Sequence, residues 1–201
     1  MSEHQPRSAL DLPLFRHCPR CADAAGARDD GRVFDCATCG FRYFHNVACA
    51  AAALITHAGT LLATRRAHAP AAGLLDVPGG FVDPGEDAAS ALRRELGEEL
   101  GWTVESAALR YFDTIPNSYL YAGVCYATCD VFYRIELDGR PPITASEELA
   151  GHVWLPLDAL DSGAFGFASV RRAVTLLRGT REELVEEGSV GDTVSPRSRQ
   201  S

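Results

Sequence analysis

The stretch "GGFVDPGEDAASALRRELGEELGW", Gly79 to Trp102, constrains this 201-residue chain more than any other. Paired glycines lead through a Pro-Gly turn into a helix-compatible segment from about Asp87 to Leu100. Asp87 suits the N-cap, and Gly101 suits the C-cap, where a left-handed residue closes a helix. Leu92, Leu96 and Leu100 recur at intervals of four, so this helix must lay an apolar stripe on another layer. Glu95, Glu98 and Glu99 follow at i, i+3 and i+4 on a neighbouring face, where like charges repel. A solvated acidic face is the ordinary outcome for a Glu-rich helix. The other outcome is that a positive ion belongs there. Carboxylates are hard oxygen ligands suited to Mg²⁺ or Mn²⁺, ions that combine carboxylate, water and substrate phosphate. Glu86 at the helix entry can pair with Arg94 in bidentate geometry and hold the loop against the helix. The glycines at Gly79 and Gly80 let the backbone approach closely, so a carbonyl there can join the ligands.

The flanking sequence supplies the layer. "VACAAALITHAGTLLATRRA" predicts two strands joined at "HAGT", with Gly59 in the turn. A loop, "HAPAAGLLDVPGG", follows. "TVESAALRYFDTI" and "LYAGVCYATCDVFYRIEL" predict strands, the second rich in aromatic and β-branched residues. "HVWLPLDAL" predicts a short strand running into a helix start, and "ASVRRAVTLLRG" has helical spacing. Strands and helices mix without regular βαβ alternation. The predicted fold class is therefore α/β: a mixed-sheet sandwich rather than a doubly wound parallel sheet.

Seven cysteines make an odd count, and four of them fall in two tight pairs. Cys18 and Cys21 form one C-x-x-C, and Cys36 and Cys39 form another after fourteen intervening residues. Four thiolates at this spacing can close a tetrahedral zinc site. Gly40 suits the knuckle after the last ligand because it tolerates positive φ. Residues 18–44 are too short for an apolar core of their own and need such a staple. A shell of four cysteines leaves no place for a reactive water, so the predicted zinc is structural. Cys49, Cys125 and Cys129 fall in predicted strands and read as small core residues.

These features divide the chain into a tail or lead-in strand (1–17), a zinc ribbon (18–44), a main domain (45–180) and a polar, frayed C-terminal tail (181–201). The start carries no basic-then-apolar leader and no apolar run reaches membrane-spanning length, so a cytoplasmic location is expected. A formal charge of −8 argues against broad binding to nucleic acid or anionic membrane, while leaving room for a local pocket that takes a phosphorylated small molecule.

From Gly80, five residues lead to Glu86 and seven more lead to Arg94-Glu95-Leu96, followed by Gly97, Glu98-Glu99, Leu100, Gly101 and Trp102. This resembles the Nudix box, G-x5-E-x7-R-E-U-x-E-E-x-G-U, at every defined position. The resemblance implies an α/β/α sandwich that hydrolyses the pyrophosphate linkage of a nucleoside diphosphate joined to another group, with Mg²⁺ or Mn²⁺. It casts Glu95, Glu98 and Glu99 as metal ligands, Glu86 and Arg94 as the supporting pair, and a carbonyl of Gly79 or Gly80 as a further ligand. A metal-proximal glutamate or one from a later loop would serve as base; Gly151 stands where many members carry the loop residue, and of Glu147 and Glu148 the choice is Glu148. Tyr119 and Tyr121 share one face of a strand and are candidates to stack on a base. Arg65 and Arg66 point to opposite faces, so at most one of them meets a phosphate and a solvated arginine is the other reading of each, with Arg65 taken as the candidate. A ribbon before such a domain is similar to NADH pyrophosphatases, some of which remove NAD caps from RNA. That group carries S-Q-P-W-P-F-P-x-S downstream, whereas this chain reads "DTIPNSYLYAGVCY" from Asp113 and is more similar to zinc-ribbon members with PN-x-Y-x-Y. The expected partner is a small nucleotide such as NADH, ADP-ribose, FAD or a nucleotide sugar. Alternatives are capped RNA as substrate, or a nucleotide-sensing regulatory module. Homodimerisation is a family-level expectation.

Overall fold

The computed structural model describes residues 15–24, 27–29, 33–121, 124–144, 146–147 and 149–187. The first fourteen residues of the expected tail, the loop residue Glu148 and the stretch 188–201 lie outside the described residues.

The N-terminal part is a three-stranded antiparallel sheet in the order β1 (Ala27–Asp29), β2 (Val33–Cys36), β3 (Arg42–Phe44). Its core is small: Phe34 is fully buried beside Cys18 and Cys36, with Phe15, Cys39 and Phe41 packed on them. So few apolar contacts cannot offset the ordering of the segment, which is why the cysteines matter.

The main sheet is built on β4 (Ala48–His57) and β5 (Thr60–Arg66), joined through Ala58 and Gly59 at positive φ as the sequence predicts. Next come β6 (Leu75–Asp76), β7 (Gly79–Phe81), α1 (Ala88–Leu100), β8 (Arg110–Tyr121), β9 (Val124–Glu136), β10 (Leu149–Pro156) and α2 (Ala168–Glu187). The strand order is β10-β5-β4-β9-β8, with β4 and β9 parallel and the other neighbours antiparallel. The mixed sheet is therefore as expected.

β4 and β5 pair only beside their turn, at Thr56–Leu61 and His57–Thr60. They then part, and the segment expected as plain loop fills the gap: β6 pairs with β5, and β7 pairs with β4. Hydrogen bonds from Ala53 N–H to the Pro78 carbonyl and from Val82 N–H to the Cys49 carbonyl fasten this insertion. The wedge has to be thin. A side chain on Gly79 would run into the backbone of Ala51 and Ala52, and Gly79 itself has φ of 146°. The alanine run of β4 serves the same close approach.

Side chains alternate across the sheet and make two cores. On one face Ala51, Ala53, Ile55 and Leu62 meet Leu92, Leu96 and Leu100 of α1. On the other, Leu54, Leu61, Ile115 and Phe132 meet Val170, Val174 and Leu177 of α2. The three α1 leucines are fully buried, and truncating any of them to alanine costs about 2–5 kcal/mol. The helix ends as the sequence predicts: Asp87 Oδ1 accepts from Ser90 N–H at 2.7 Å, and Gly101 adopts φ 73°.

Three boundaries differ from expectation. β8 runs through Pro116 to Tyr121, because it is the edge strand of the sheet and a missing N–H can face outward there. Residues 106–108, expected as strand, form a 3₁₀ turn before β8. α2 continues to Glu187, seven residues past the boundary drawn at 180, so the tail's first residues are helical. Cys49, Cys125 and Cys129 lie in strands as expected but are only half-buried. Among the described residues, no helix is long and apolar enough to cross a membrane.

Candidate active site

The wedge of β6 and β7 lines a cavity of about 330 Å³ that passes from the N-terminal half of β4 and the α1 glutamates toward β8, β9 and the start of α2. Glu95 and Glu99 both line it. Glu99 is nearly buried, and its Oε2 accepts from the Gly79 N–H at 3.0 Å, which joins helix to glycine loop. Gly80 has no room for a side chain because the Glu95 carboxylate lies where its Cβ would be. The two glycines are thus fitted to two of the three glutamates.

Glu98 goes elsewhere. Its side chain is 61% exposed, and it is outside the cavity lining. Helix geometry explains the split: at 100° per residue, Glu98 falls about 60° to one side of Glu95 and Glu99 about 40° to the other. The expectation that all three converge is corrected to a pair inside the cavity and a third at its rim, joined by Arg94.

Arg94 is the hub. Its Nε and Nη2 donate to the two oxygens of Glu86, both at 3.0 Å, in the predicted bidentate pair. Nη2 also reaches the Phe81 carbonyl at 3.0 Å, and Nη1 donates to Glu95 at 2.8 Å and Glu98 at 3.1 Å. The hydrogen bond from Arg94 holds the Glu86 carboxyl below its ordinary range, and Glu86 in turn raises Arg94. The guanidinium therefore stays charged and locks loop, β7 and helix into one frame.

The charge balance of the cavity is one-sided. Asp76, Asp83, Glu95, Glu99 and Asp130 line it against only Arg66 and Arg94. Burial pushes the Asp76 carboxyl above its ordinary value, against the pull of the Val77 N–H and of Arg66, whose Nη1 sits 3.1 Å away. Five oxygen-donor side chains facing two cations in a small space form a donor set that fits hard divalent ions.

The far end of the cavity was missed by sequence reasoning. Asp130 of β9 is buried and accepts from Thr128 Oγ1 at 2.6 Å, Ser169 Oγ at 2.6 Å and Asn117 Nδ2 at 3.1 Å. A lone aspartate in the apolar strand "VCYATCDVFYRIEL" was the available signal; nothing in the sequence marked Ser169. Tyr119 lines the cavity, with its ring 5.6 Å from Phe167 and 5.4 Å from Phe81. Tyr121 stacks on Tyr119 at 6.3 Å but is exposed and outside the lining. Arg65 is a correction. It is exposed and spends its guanidinium on the Gly73 carbonyl at 2.6 Å, while Arg66 is the arginine in the cavity, 5.0 Å over the Phe167 ring. Successive strand residues point apart, and the one chosen points away. Glu147 is exposed on the loop after β9.

In the N-terminal sheet the Sγ atoms of Cys18, Cys21, Cys36 and Cys39 all lie within 4.8 Å of one another. Cys18–Cys39 and Cys21–Cys36 are 3.6 Å apart, near the edge of about 3.8 Å that a tetrahedron with bonds of ~2.3 Å to zinc requires. Each pair ends in a knuckle with positive φ, at Ala22 (61°) and Gly40 (69°). For Cys18, burial is outweighed by hydrogen bonds from the Cys21 and Arg20 backbone, and the thiol is lowered to about 7. Cys21 is eased by the Asp23 backbone but pushed up to about 12 by desolvation and its three thiol neighbours.

Residues 45–176 match the NUDIX domain family, and the chain belongs to it. The solved MutT NUDIX hydrolase of Burkholderia pseudomallei is similar, with 25% identity and a TM-score of 0.54 over 65% of this chain and 97% of that one. A NUDIX hydrolase of Nitrosomonas europaea shares the fold at TM-score 0.60 and 16% identity, over 84% of this chain and 93% of the other. Among curated proteins, the NAD-capped RNA hydrolase NudC of Chromobacterium violaceum is 27% identical over 72% of this chain. This chain spans 51% of that relative's length.

Proposed function

We propose that the chain hydrolyses the pyrophosphate bond of a nucleoside diphosphate joined to a second group, a dinucleotide or ADP-ribose-like molecule, with Mg²⁺ or Mn²⁺ bound in the cavity and Zn²⁺ holding the ribbon. The observation that carries this reading is the placement of Glu95 and Glu99 side by side against Gly79 and Gly80, in an acidic cavity whose other end is aromatic and polar. Divalent ions there supply charge neutralisation of the diphosphate and a more acidic bound water.

The chain's own residues set the frame. Glu95 and Glu99, with Glu98 swinging in from the rim, would offer the oxygen ligands, and a Gly79 or Gly80 carbonyl would add one. Arg94 fixes Glu95 by direct contact and fixes the loop through Glu86. Tyr119 and Phe167 give the nucleoside an apolar wall that keeps the diphosphate at the glutamate end. A glutamate would accept the proton from the attacking water, either one of the metal-proximal set or Glu148, which lies outside the described residues.

The test is a panel of NADH, ADP-ribose, FAD, diadenosine polyphosphates and nucleoside triphosphates, assayed with Mg²⁺ and with Mn²⁺. Turnover of at least one diphosphate-linked member at a site lost in Glu99→Gln is expected. No turnover of any member, together with tight binding and no cleavage, supports the nucleotide-sensing alternative instead. NAD-capped RNA is a second substrate reading, favoured by the activity in the name of the Chromobacterium violaceum relative and by exposed Tyr121 and Tyr126 beside Tyr119. A capped transcript in the same panel separates it.

A further inference from the structure

We propose that Asn117 reads the base of the substrate, and that it selects a base carrying an exocyclic amino group, adenine above hypoxanthine. This rests on the nucleotide reading of the cavity and names the substrate class more narrowly.

The inference starts from a buried polar cluster that packing alone does not require. Ser169 is fully buried, and Thr128 and Asp130 nearly so, at the junction of β8, β9 and the first turn of α2. A carboxylate in such a place must be satisfied by donors. Asp130 is satisfied by three: the Thr128 hydroxyl, the Ser169 hydroxyl and the Asn117 amide.

This arrangement has a consequence for Asn117. A carboxylate only accepts, so the end of the amide turned toward Asp130 is the NH₂. Because the amide is planar, the carbonyl Oδ1 is then the end left over, and among the described residues it has no hydrogen-bond partner. Asn117 lines the same cavity as Glu95 and Glu99. Two residues along β8, on the same side of the strand, Tyr119 supplies an aromatic wall with Phe167. A fixed acceptor beside an apolar wall is how a protein reads one edge of a planar heterocycle, and asparagine makes such a contact with the adenine amino group on DNA.

The selection is for a donor. An amino group at the base edge meets Oδ1 and bonds it, whereas an oxo group sets oxygen against oxygen and leaves a partly buried acceptor unpaired. The Asp130 cluster prevents relief, because turning the amide over would put the carbonyl against a carboxylate. Ser169 and Thr128 are therefore positioning residues that act through Asp130.

The experiment compares AMP with IMP, and ADP-ribose with inosine diphosphate ribose, on the full-length protein with Mg²⁺. Calorimetric binding of AMP is expected to be about tenfold tighter than that of IMP, with a similar ratio in kcat/KM for the ribose pair. In Asn117→Ala both ratios fall toward one while the melting temperature stays near wild type. Equal binding of AMP and IMP by the wild type, undetectable binding of both, or ratios unchanged in Asn117→Ala would each overturn the inference. Asn117→Ser carries the same test where Asn117→Ala does not fold, since it removes the amide oxygen and keeps a hydroxyl to donate to Asp130. Hydrolysis of both ribose compounds at equal rates defeats base reading while upholding the hydrolase. AMP bound above IMP with no hydrolysis defeats the hydrolase while upholding base reading.

Discussion

The two candidate metal-ligand clusters of this chain differ in how they are closed. In the ribbon, four thiols converge to within 4.8 Å of one another around a single point, with a core of little more than Phe34 to help them. In the sandwich, five carboxylates and two arginines line about 330 Å³ of open space, on a scaffold with two apolar cores of its own. A closed shell contributes folding energy and has no position for a substrate; an open one leaves its charge uncompensated until ions and a phosphate arrive. On the proposed reading, stability and chemistry fall to different metals in different parts of the chain.

That division can be broken most sharply at Glu99. In Glu99→Gln the Gly79 N–H keeps an oxygen acceptor, so the fold should survive while hydrolysis drops by a factor on the order of a hundred or more. A melting temperature that collapses together with activity would mean that Glu99 is a structural residue. For the ribbon the expectation is the reverse. Cys36→Ser should lose bound zinc and amide-exchange protection around Phe34, with α1 and β4 as protected as before. Loss of protection in α1 would show that the two parts are not separate in stability.

Smaller effects sharpen the frame of the cavity. Gly79→Ala pushes a methyl into the β4 backbone at a φ that side chains rarely adopt, and should cost about 3 kcal/mol in denaturant unfolding. Arg94→Lys replaces a fork that grips both Glu86 oxygens and the Phe81 carbonyl with a point charge, and should lower kcat/KM about tenfold with little change in stability. The smallest effect concerns pH. The Glu86 carboxyl is lowered in the folded state by Arg94, so its contribution to stability is present above the ordinary carboxylate pKa and is lost as pH falls through and below that value. Wild type minus Glu86→Gln should therefore show a stability difference at neutral pH that shrinks below about pH 4; a difference that grows on acidification would reverse the sign.

Much of this was legible because the decisive features are local. The α1 caps at Asp87 and Gly101, the leucine stripe, the Glu86–Arg94 pair and the cysteine knuckles each depend on spacing along a few residues. What escaped depends on partners far apart in the chain. Asp130, Asn117 and Ser169 meet only because β8 and β9 are neighbours and α2 starts above them. Choosing Arg65 over Arg66 was a matter of which side of β5 faces the cavity, and that is set by the insertion of β6 and β7, which the sequence presented as loop. Glu98 was grouped with its neighbours because their spacing is helical. The structure separates them, as only Glu95 and Glu99 lie on the side where the glycines press in.

The most direct test of the central claim is Mn²⁺ binding followed by electron paramagnetic resonance, on wild type and on the Glu95→Gln/Glu99→Gln double variant, each with its ribbon zinc in place. The expected result is Mn²⁺ bound by the wild type, tightened by ADP-ribose, and lost in the folded double variant. Mn²⁺ binding of equal strength in both proteins would contradict it.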